Sequence, residues 1–289
     1  MKKHNLQRNE KFTRLVLLLF AFSAVAILAV ITIFIFAEGT PIMFRHGVKK
    51  FLFGLDWYPT EESYGLLPMI TGSLMVTLGA LILGVPFGLA CAIFLTEFSS
   101  KRLRRVIKPV IELLAGIPSV VYGFMGVVIL VPFIRETLGG PGLSVLAASI
   151  ILGIMILPTV ISISIDSLLA VPCAYRDGSI AMGATRWQTV RMVMLPAARS
   201  GIIASIILGM GRAIGETMAV IMIAGNAISI PRSILAPVRT LTSNIALEMG
   251  YASGEHREAL FATGVILFII IMILNTLANI TSARRARKK

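Results

Sequence analysis

Arg212 and Glu216 carry opposite charges four residues apart in GIIASIILGMGRAIGETMAVIMIAGN (residues 201–226), a stretch otherwise apolar enough to cross a bilayer. A charged side chain at the centre of a membrane helix costs about 2.5–3.5 kcal/mol on insertion scales, so such groups face a protein interior or a water-filled path. On one continuous helix the spacing puts both side chains on the same face. Two readings stand. Either the pair is internal, each charge neutralising the other and holding helices together, or it belongs to the pathway of a charged substrate. Arg before Glu is the less favourable sense for a helical pair, which weighs toward the pathway. Thr217 adds a hydroxyl beside them, although a threonine in a membrane helix commonly bonds back to its own chain.

The elements that must position these residues are membrane helices. Of 289 residues 56% are hydrophobic and only 14% charged, with a mean hydropathy of +0.88, which excludes a soluble domain of this length. Six stretches are long enough to span roughly 30 Å of hydrocarbon as helices, at residues 15–37, 69–95, 109–133, 144–165, 201–225 and 260–280. The expectation is an all-α integral membrane protein with six transmembrane helices. Residues 1–68 form a tail, the first helix and an external segment; residues 69–280 form a core; residues 281–289 form a basic tail. Glycine and proline interrupt several stretches, at Gly84 and Pro86, Gly116 to Pro118, and Pro158. Such breaks are tolerated where neighbouring helices or a cavity satisfy the freed backbone groups.

The formal charge of +13 is a topology signal. Lys2, Lys3, Arg8, Lys11 and Arg14 precede the first stretch; Lys101, Arg102, Arg104, Arg105 and Lys108 follow the second. Arg176, Arg186, Arg191 and Arg199 follow the fourth; Arg284, Arg285, Arg287, Lys288 and Lys289 follow the sixth. The other side holds only Arg45, Lys49, Lys50, Arg135, Arg232, Arg239 and Arg257. The positive-inside rule therefore puts both termini in the cytoplasm, and no nucleic-acid partner is needed to explain the basicity. The first apolar run, about 23 residues, exceeds the 7–15 of a signal-peptide core, so it reads as a retained helix. Its surroundings are membrane lipid.

Other chemistry is narrowed by what is missing. None of the nine lysines follows a glycine, so there is no phosphate-binding G-x-x-x-x-G-K-[ST] loop and the chain binds no ATP of its own in that way. His4, His46 and His256 lack a spacing that makes a metal site or an intramembrane base. Cys91 and Cys173 lie in different environments, which argues against a disulfide and reads as inert packing. No internal repeat is visible, which weakens an inverted-repeat secondary transporter. In the external segment 38–68, Trp57, Tyr58 and Tyr64 read either as a docking surface or as interfacial aromatic anchors.

The loop at residues 166–200 is too polar to span and too amphipathic for a plain linker, with Ile180, Met182 and Trp187 alternating with Arg186, Gln188 and Arg191. A short cytoplasmic helix follows, which either lies on anionic lipid or docks on a partner. Asp177-Gly178-Ser179, Gly183 four residues after Ser179, then Val193 and Leu195-Pro196 resemble the EAA loop of ABC importer permeases: E-A-A, three residues, G, nine residues, I, one residue, L-P. Asp177, Gly178, Ser179 and Val193 depart from the letters while keeping acidic, small and β-branched character. The resemblance implies the type I importer permease fold and docking of the helix before Gly183 into a separate ATPase subunit. A glycine there permits the turn to a second helix.

Residues 211–226, GRAIGETMAVIMIAGN, with residues 115–124, AGIPSVVYGF, are similar to the permeases of phosphate-specific ABC importers, the PstC type more than the PstA type, from about residue 69 to 280. That resemblance implies a bacterial inner-membrane permease subunit, itself no enzyme, which translocates inorganic phosphate. Its partners would be a second, PstA-like permease, a PstB-like ATPase dimer holding ATP and Mg, and an external PstS-like phosphate-binding protein. Arg212 suits a tetrahedral oxyanion because its planar fork makes two parallel charge-assisted bonds. Glu216 can accept from a P–OH while repelling fully ionised sulfate. A permease for another oxyanion, or a secondary anion transporter, are the alternatives.

Overall fold

The computed structural model describes the backbone of residues 2–287 and the side chains of residues 13–278 and 280. Among them are six helices long and apolar enough to cross a membrane: Thr13–His46, Leu67–Phe98, Ser119–Thr137, Val145–Leu169, Arg186–Gly215 and Gly254–Ala278. The basic side chains expected at both ends of the chain, Lys2 to Lys11 and Arg284 to Lys289, lie outside the described side chains.

The fourth span is the centre of the bundle, with most of its side chains buried, and the second packs along it through small residues. A Cβ placed on Gly84 would lie 2.8 Å from the Gly153 carbonyl oxygen and 2.7 Å from Ile156 Cγ1, so these helices approach at backbone distance. Lipid tails are as apolar as leucine, so close packing of this kind, rather than burial from water, holds membrane helices together. Val76, Ala80, Ala148, Leu152 and Ile156 fill the seam, closed on the other side by Ala213, Val220 and Ile223. The Ser164 and Ser205 hydroxyls meet at 3.1 Å between the fourth and fifth spans. The first span packs on the sixth through its C-terminal part: Phe34 and Phe36 meet Phe261 and Phe268 edge to face, and Gly39 abuts the backbone of Phe261 and Ala262.

Several expected boundaries are corrected. The first span runs to His46 rather than residue 37, so the start of the expected external segment 38–68 is still helix, and the sixth begins at Gly254 rather than residue 260. The third span begins at Ser119 rather than residue 109, because Lys101–Ala115 is a separate amphipathic helix. Pro118 has no N–H to give and disfavours helical backbone at Ile117; Gly116 closes the preceding turn. This helix is capped by Ser100, whose hydroxyl accepts from Leu103 N, and tied to the fourth span by Lys108 and Asp166 at 2.5 Å. The fifth span begins at Arg186 rather than residue 201, and it ends at Gly215; a short helix, Met218–Ile223, resumes after a break. The expected loop at 166–200 thus narrows to residues 170–185. Pro132 and Pro196 each stand two residues after a π-helical turn, Gly126–Leu130 and Val190–Met194, where the missing proline donor is absorbed by a change of helical register.

Between the first two spans a small cap folds back on the bundle. Its helix Val48–Phe53 is followed by the two-residue strands Trp57–Tyr58 and Ser63–Tyr64, which pair antiparallel. Trp57 is 1% exposed and Tyr64 is buried beside it, so neither is the docking surface or lipid anchor that their aromatic character suggests; Tyr58 alone of the three is exposed. Burial first, then the Glu255, Glu62 and Glu258 carboxylates, raise the Tyr64 phenol above its ordinary pKa, so it serves the cap as a neutral ring. Both cysteines are free thiols, and Cys173 is exposed rather than packed.

Candidate functional site

The expectation that Arg212 and Glu216 share one helical face is overturned. Arg212 lies in the last turn of Leu195–Gly215, and Glu216 is its C-cap, with extended backbone at φ −71° and ψ 126°. The two side chains form no ion pair among the described residues. Glu216 points instead to the short helix beyond the break, where its Oε1 accepts from Ala219 N at 3.4 Å. Each charge therefore meets a helix end of opposite sign, the guanidinium at a C-terminus and the carboxylate at an N-terminus, which offsets the cost of placing them inside a span. The Thr217 hydroxyl donates to the Gly215 carbonyl at 3.2 Å, so it serves the break. Arg212 is half-buried and makes no hydrogen bond or ion pair among the described residues.

The break is propped by a segment that enters the bundle from the same end. Gly225 (φ +83°) and Asn226 (φ +53°) turn the chain, and it returns to the helix Leu241–Glu248, capped by Thr240. The Thr242 hydroxyl donates to the Glu216 carbonyl at 3.2 Å, taking a backbone acceptor that an unbroken helix would have satisfied internally.

Behind it lies a polar network that sequence reasoning missed. Arg239 donates to Glu248 Oε1 at 2.5 Å, to Asn244 Oδ1 at 3.0 Å and to the Asn226 carbonyl at 3.1 Å. Glu248 Oε2 accepts from Trp57 Nε1 at 2.8 Å and lies 2.9 Å from His256 Nε2. The Glu248 and Arg239 side chains are 8% and 14% exposed. The nine-residue separation of Arg239 and Glu248 across a cap and a helix start matches no simple periodicity; two charges in a segment otherwise rich in Leu, Ile and Ala were the available signal.

At the other end of the bundle the residues of the EAA-like loop fall on a helix–turn–helix. Asp177, Gly178 and Ser179 lie in the helix Cys173–Ala181, which has no buried side chain. Gly183 sits at φ +85° in the turn, a left-handed conformation that strains any residue with a Cβ. Thr185 then caps the next helix in a reciprocal pair with Gln188. Val193 belongs to the π-helical turn Val190–Met194, and Leu195 and Pro196 open the regular helix after it. Met182 is 89% exposed, with Tyr175, Ile180 and Trp187 also exposed around the turn. That is an apolar patch at the polar end of a membrane protein, and such patches mark interaction sites.

A bundle of six membrane helices with a broken fifth span and an exposed helix–turn–helix between spans four and five defines a transport permease. The chain belongs to the family of binding-protein-dependent transport system inner membrane components, which it matches over residues 84–287, and is a multi-pass inner-membrane protein. Among its relatives, the "Probable ABC transporter permease protein YqgH" of Bacillus subtilis (strain 168) is 42% identical over 98% of this chain and 94% of that protein. The "Phosphate transport system permease protein PstC" of Pasteurella multocida (strain Pm70) is 36% identical over 83% of this chain and 81% of that protein. The protein of the same description from Haemophilus influenzae is 34% identical over 94% and 92%. In fold, the chain resembles the MetNI methionine ABC transporter in an inward-facing conformation, with a TM-score of 0.62 at 20% identity over 80% of this chain and 99% of that one. It also resembles a bacterial alginate ABC transporter solved with its substrate-bound periplasmic protein, with a TM-score of 0.58 at 17% identity over 92% and 94%.

Proposed function

We propose that this chain is the PstC-type permease subunit of an ATP-driven importer of inorganic phosphate, and that Arg212 meets the anion during transport. The observation that carries this reading is the half-buried Arg212 guanidinium, which ends a broken membrane helix with no acid partner among the described residues. Orthophosphate near neutral pH usually keeps a proton. It offers oxygens that a planar guanidinium binds in pairs and a P–OH that the Glu216 carboxylate can accept, whereas fully ionised sulfate offers no donor. The relatives called phosphate permeases support that substrate.

Both termini and the helix–turn–helix face the cytoplasm in this reading, which the distribution of basic residues supports. The apolar patch at Met182 and Trp187 receives one member of an ATPase dimer, which alone holds ATP and Mg; this chain binds no cofactor. A second, PstA-like permease completes the pathway, and a phosphate-binding protein delivers the anion from outside. Closure of the ATPase pair moves the helix–turn–helix, the spans rock, and the region of Arg212 opens to the delivering protein.

The test is uptake into vesicles containing the whole complex, with assembly checked by copurification of the ATPase. Arg212→Gln should assemble and lose about 10–100-fold in phosphate uptake, since a hydrogen bond to a charged group contributes about 1.5–3 kcal/mol. Glu216→Gln should keep more uptake and become more sensitive to sulfate. Unchanged uptake in Arg212→Gln would remove the arginine from the pathway, and equal competition by sulfate in the unmodified complex would favour a general oxyanion permease.

A further inference from the structure

The helix Cys173–Ala181 buries none of its side chains, yet it is fastened to the bundle at two points. Arg176 pairs with Glu97 Oε1, and Glu97 lies in the π-helical turn Phe94–Phe98 that ends the second span. The Ser179 and Thr189 hydroxyls meet at 3.0 Å, and Thr189 immediately precedes the π-helical turn that opens the fifth span. Both fastenings therefore land at a π turn, a rare irregularity that recurs at functional sites and lets a helix shift register locally.

The chemistry of the first contact is unusual for a surface helix. The Glu97 carboxylate side chain is only 7% exposed, and its partner Arg176 is 34% exposed. A buried carboxylate is costly without a cation, and here the cation comes from an element that packing does not hold. Lys101, Arg104 and Arg186 line the same cavity of about 440 Å³, in which Glu97 is the single acidic residue. If the helix slides, Glu97 can exchange Arg176 for another cation instead of being stranded, so the contact can yield without a large penalty.

We infer that Glu97 and Arg176, with Ser179 and Thr189 as a second tie, form the link that carries displacement of the Cys173–Ala181 helix into the second and fifth spans. They act as positioning residues for coupling, not as contacts to substrate. The inference rests on the reading of this helix as the ATPase-docking element.

The experiment uses the complete complex in vesicles and reads three quantities: ATPase copurification, ATP hydrolysis, and phosphate taken up per ATP. Glu97→Gln, Arg176→Gln and the double variant should all retain the ATPase and hydrolyse ATP. Each should carry about tenfold less phosphate per ATP, within the usual range of coupling between linked sites, while Arg176→Lys should stay near the unmodified ratio. If the pair merely stabilises the fold, the double variant should recover relative to Glu97→Gln, which alone leaves Arg176 without its acid; that recovery would overturn the inference. So would a Glu97→Gln complex that no longer holds the ATPase, since the pair would then act in docking itself. Met182→Asp separates the underlying reading: retention of the ATPase in that variant sinks the docking assignment, whereas its loss alongside normal ratios in the Glu97 and Arg176 variants leaves docking intact and removes only the link.

Discussion

At the scale of residues, the informative charge pair is Arg239–Glu248, and it exchanges roles with the pair that draws the eye in the sequence. Arg212 and Glu216 have the four-residue spacing of a helical ion pair, but that spacing presumes an unbroken helix, and the backbone leaves helical geometry at Glu216. Arg239 and Glu248 satisfy no spacing rule and yet meet in a buried network with Trp57, Asn244 and His256. The logic of stranded charges belongs to them. Arg239→Gln or Glu248→Gln alone leaves a buried charge without its counterion, a loss of about 3–5 kcal/mol by precedent for buried pairs. The double variant should lose less than either single, with a coupling of about 0.5–3 kcal/mol. Thermal unfolding of the detergent-solubilised protein measures the cycle; strictly additive losses would show that the two side chains do not support each other.

At the scale of elements, hydropathy made the six spans and their order legible, because each is a long apolar run whose burial in lipid needs no knowledge of its neighbours. It did not reveal where helices stop inside such runs. Gly116-Ile117-Pro118 could be read as a break but not as the point where a surface helix becomes a span. The only local mark of the second break is Gly215 before Glu216, a weak signal in a glycine-rich span, and the hydroxyl that takes up the Glu216 carbonyl, Thr242, comes from 26 residues away. Small residues are similarly ambiguous in sequence, where Gly84 beside Pro86 suggests a kink. In the structure Gly84 is the contact point of the two most central helices, and a side chain there meets a backbone carbonyl that cannot move aside. Gly84→Val should therefore cost about 1–3 kcal/mol through overpacking and lower the midpoint of thermal unfolding, while Gly211→Val, where a Cβ meets nothing within 4 Å, should have a smaller effect. Equal losses at both positions would mean that helix propensity, not close approach, governs the response.

At the scale of the whole molecule, the two ends of the bundle differ in kind. One carries the cap, the buried Arg239–Glu248 network and the mouth of the broken fifth span; the other carries the basic helix Lys101–Ala115 and the exposed helix–turn–helix. If basic residues set orientation, the second end is cytoplasmic, and the protein supplies its own probe, because Cys173 is an exposed free thiol there while Cys91 lies part-buried in the second span. In a Cys91→Ala background, a membrane-impermeant maleimide should label Cys173 in inside-out vesicles and not in intact cells. With Cys173 also removed, Tyr58→Cys or Arg232→Cys should give the opposite pattern, both positions being exposed on the cap end. The outcome bears on the proposed function as well as topology: an ATPase works where ATP is, so under that proposal its docking surface faces the cytoplasm, and the Arg212 guanidinium is reached from the other side when the importer loads. Labelling of Cys173 from outside intact cells would reverse the orientation and, with it, dismiss the helix–turn–helix as the ATPase contact.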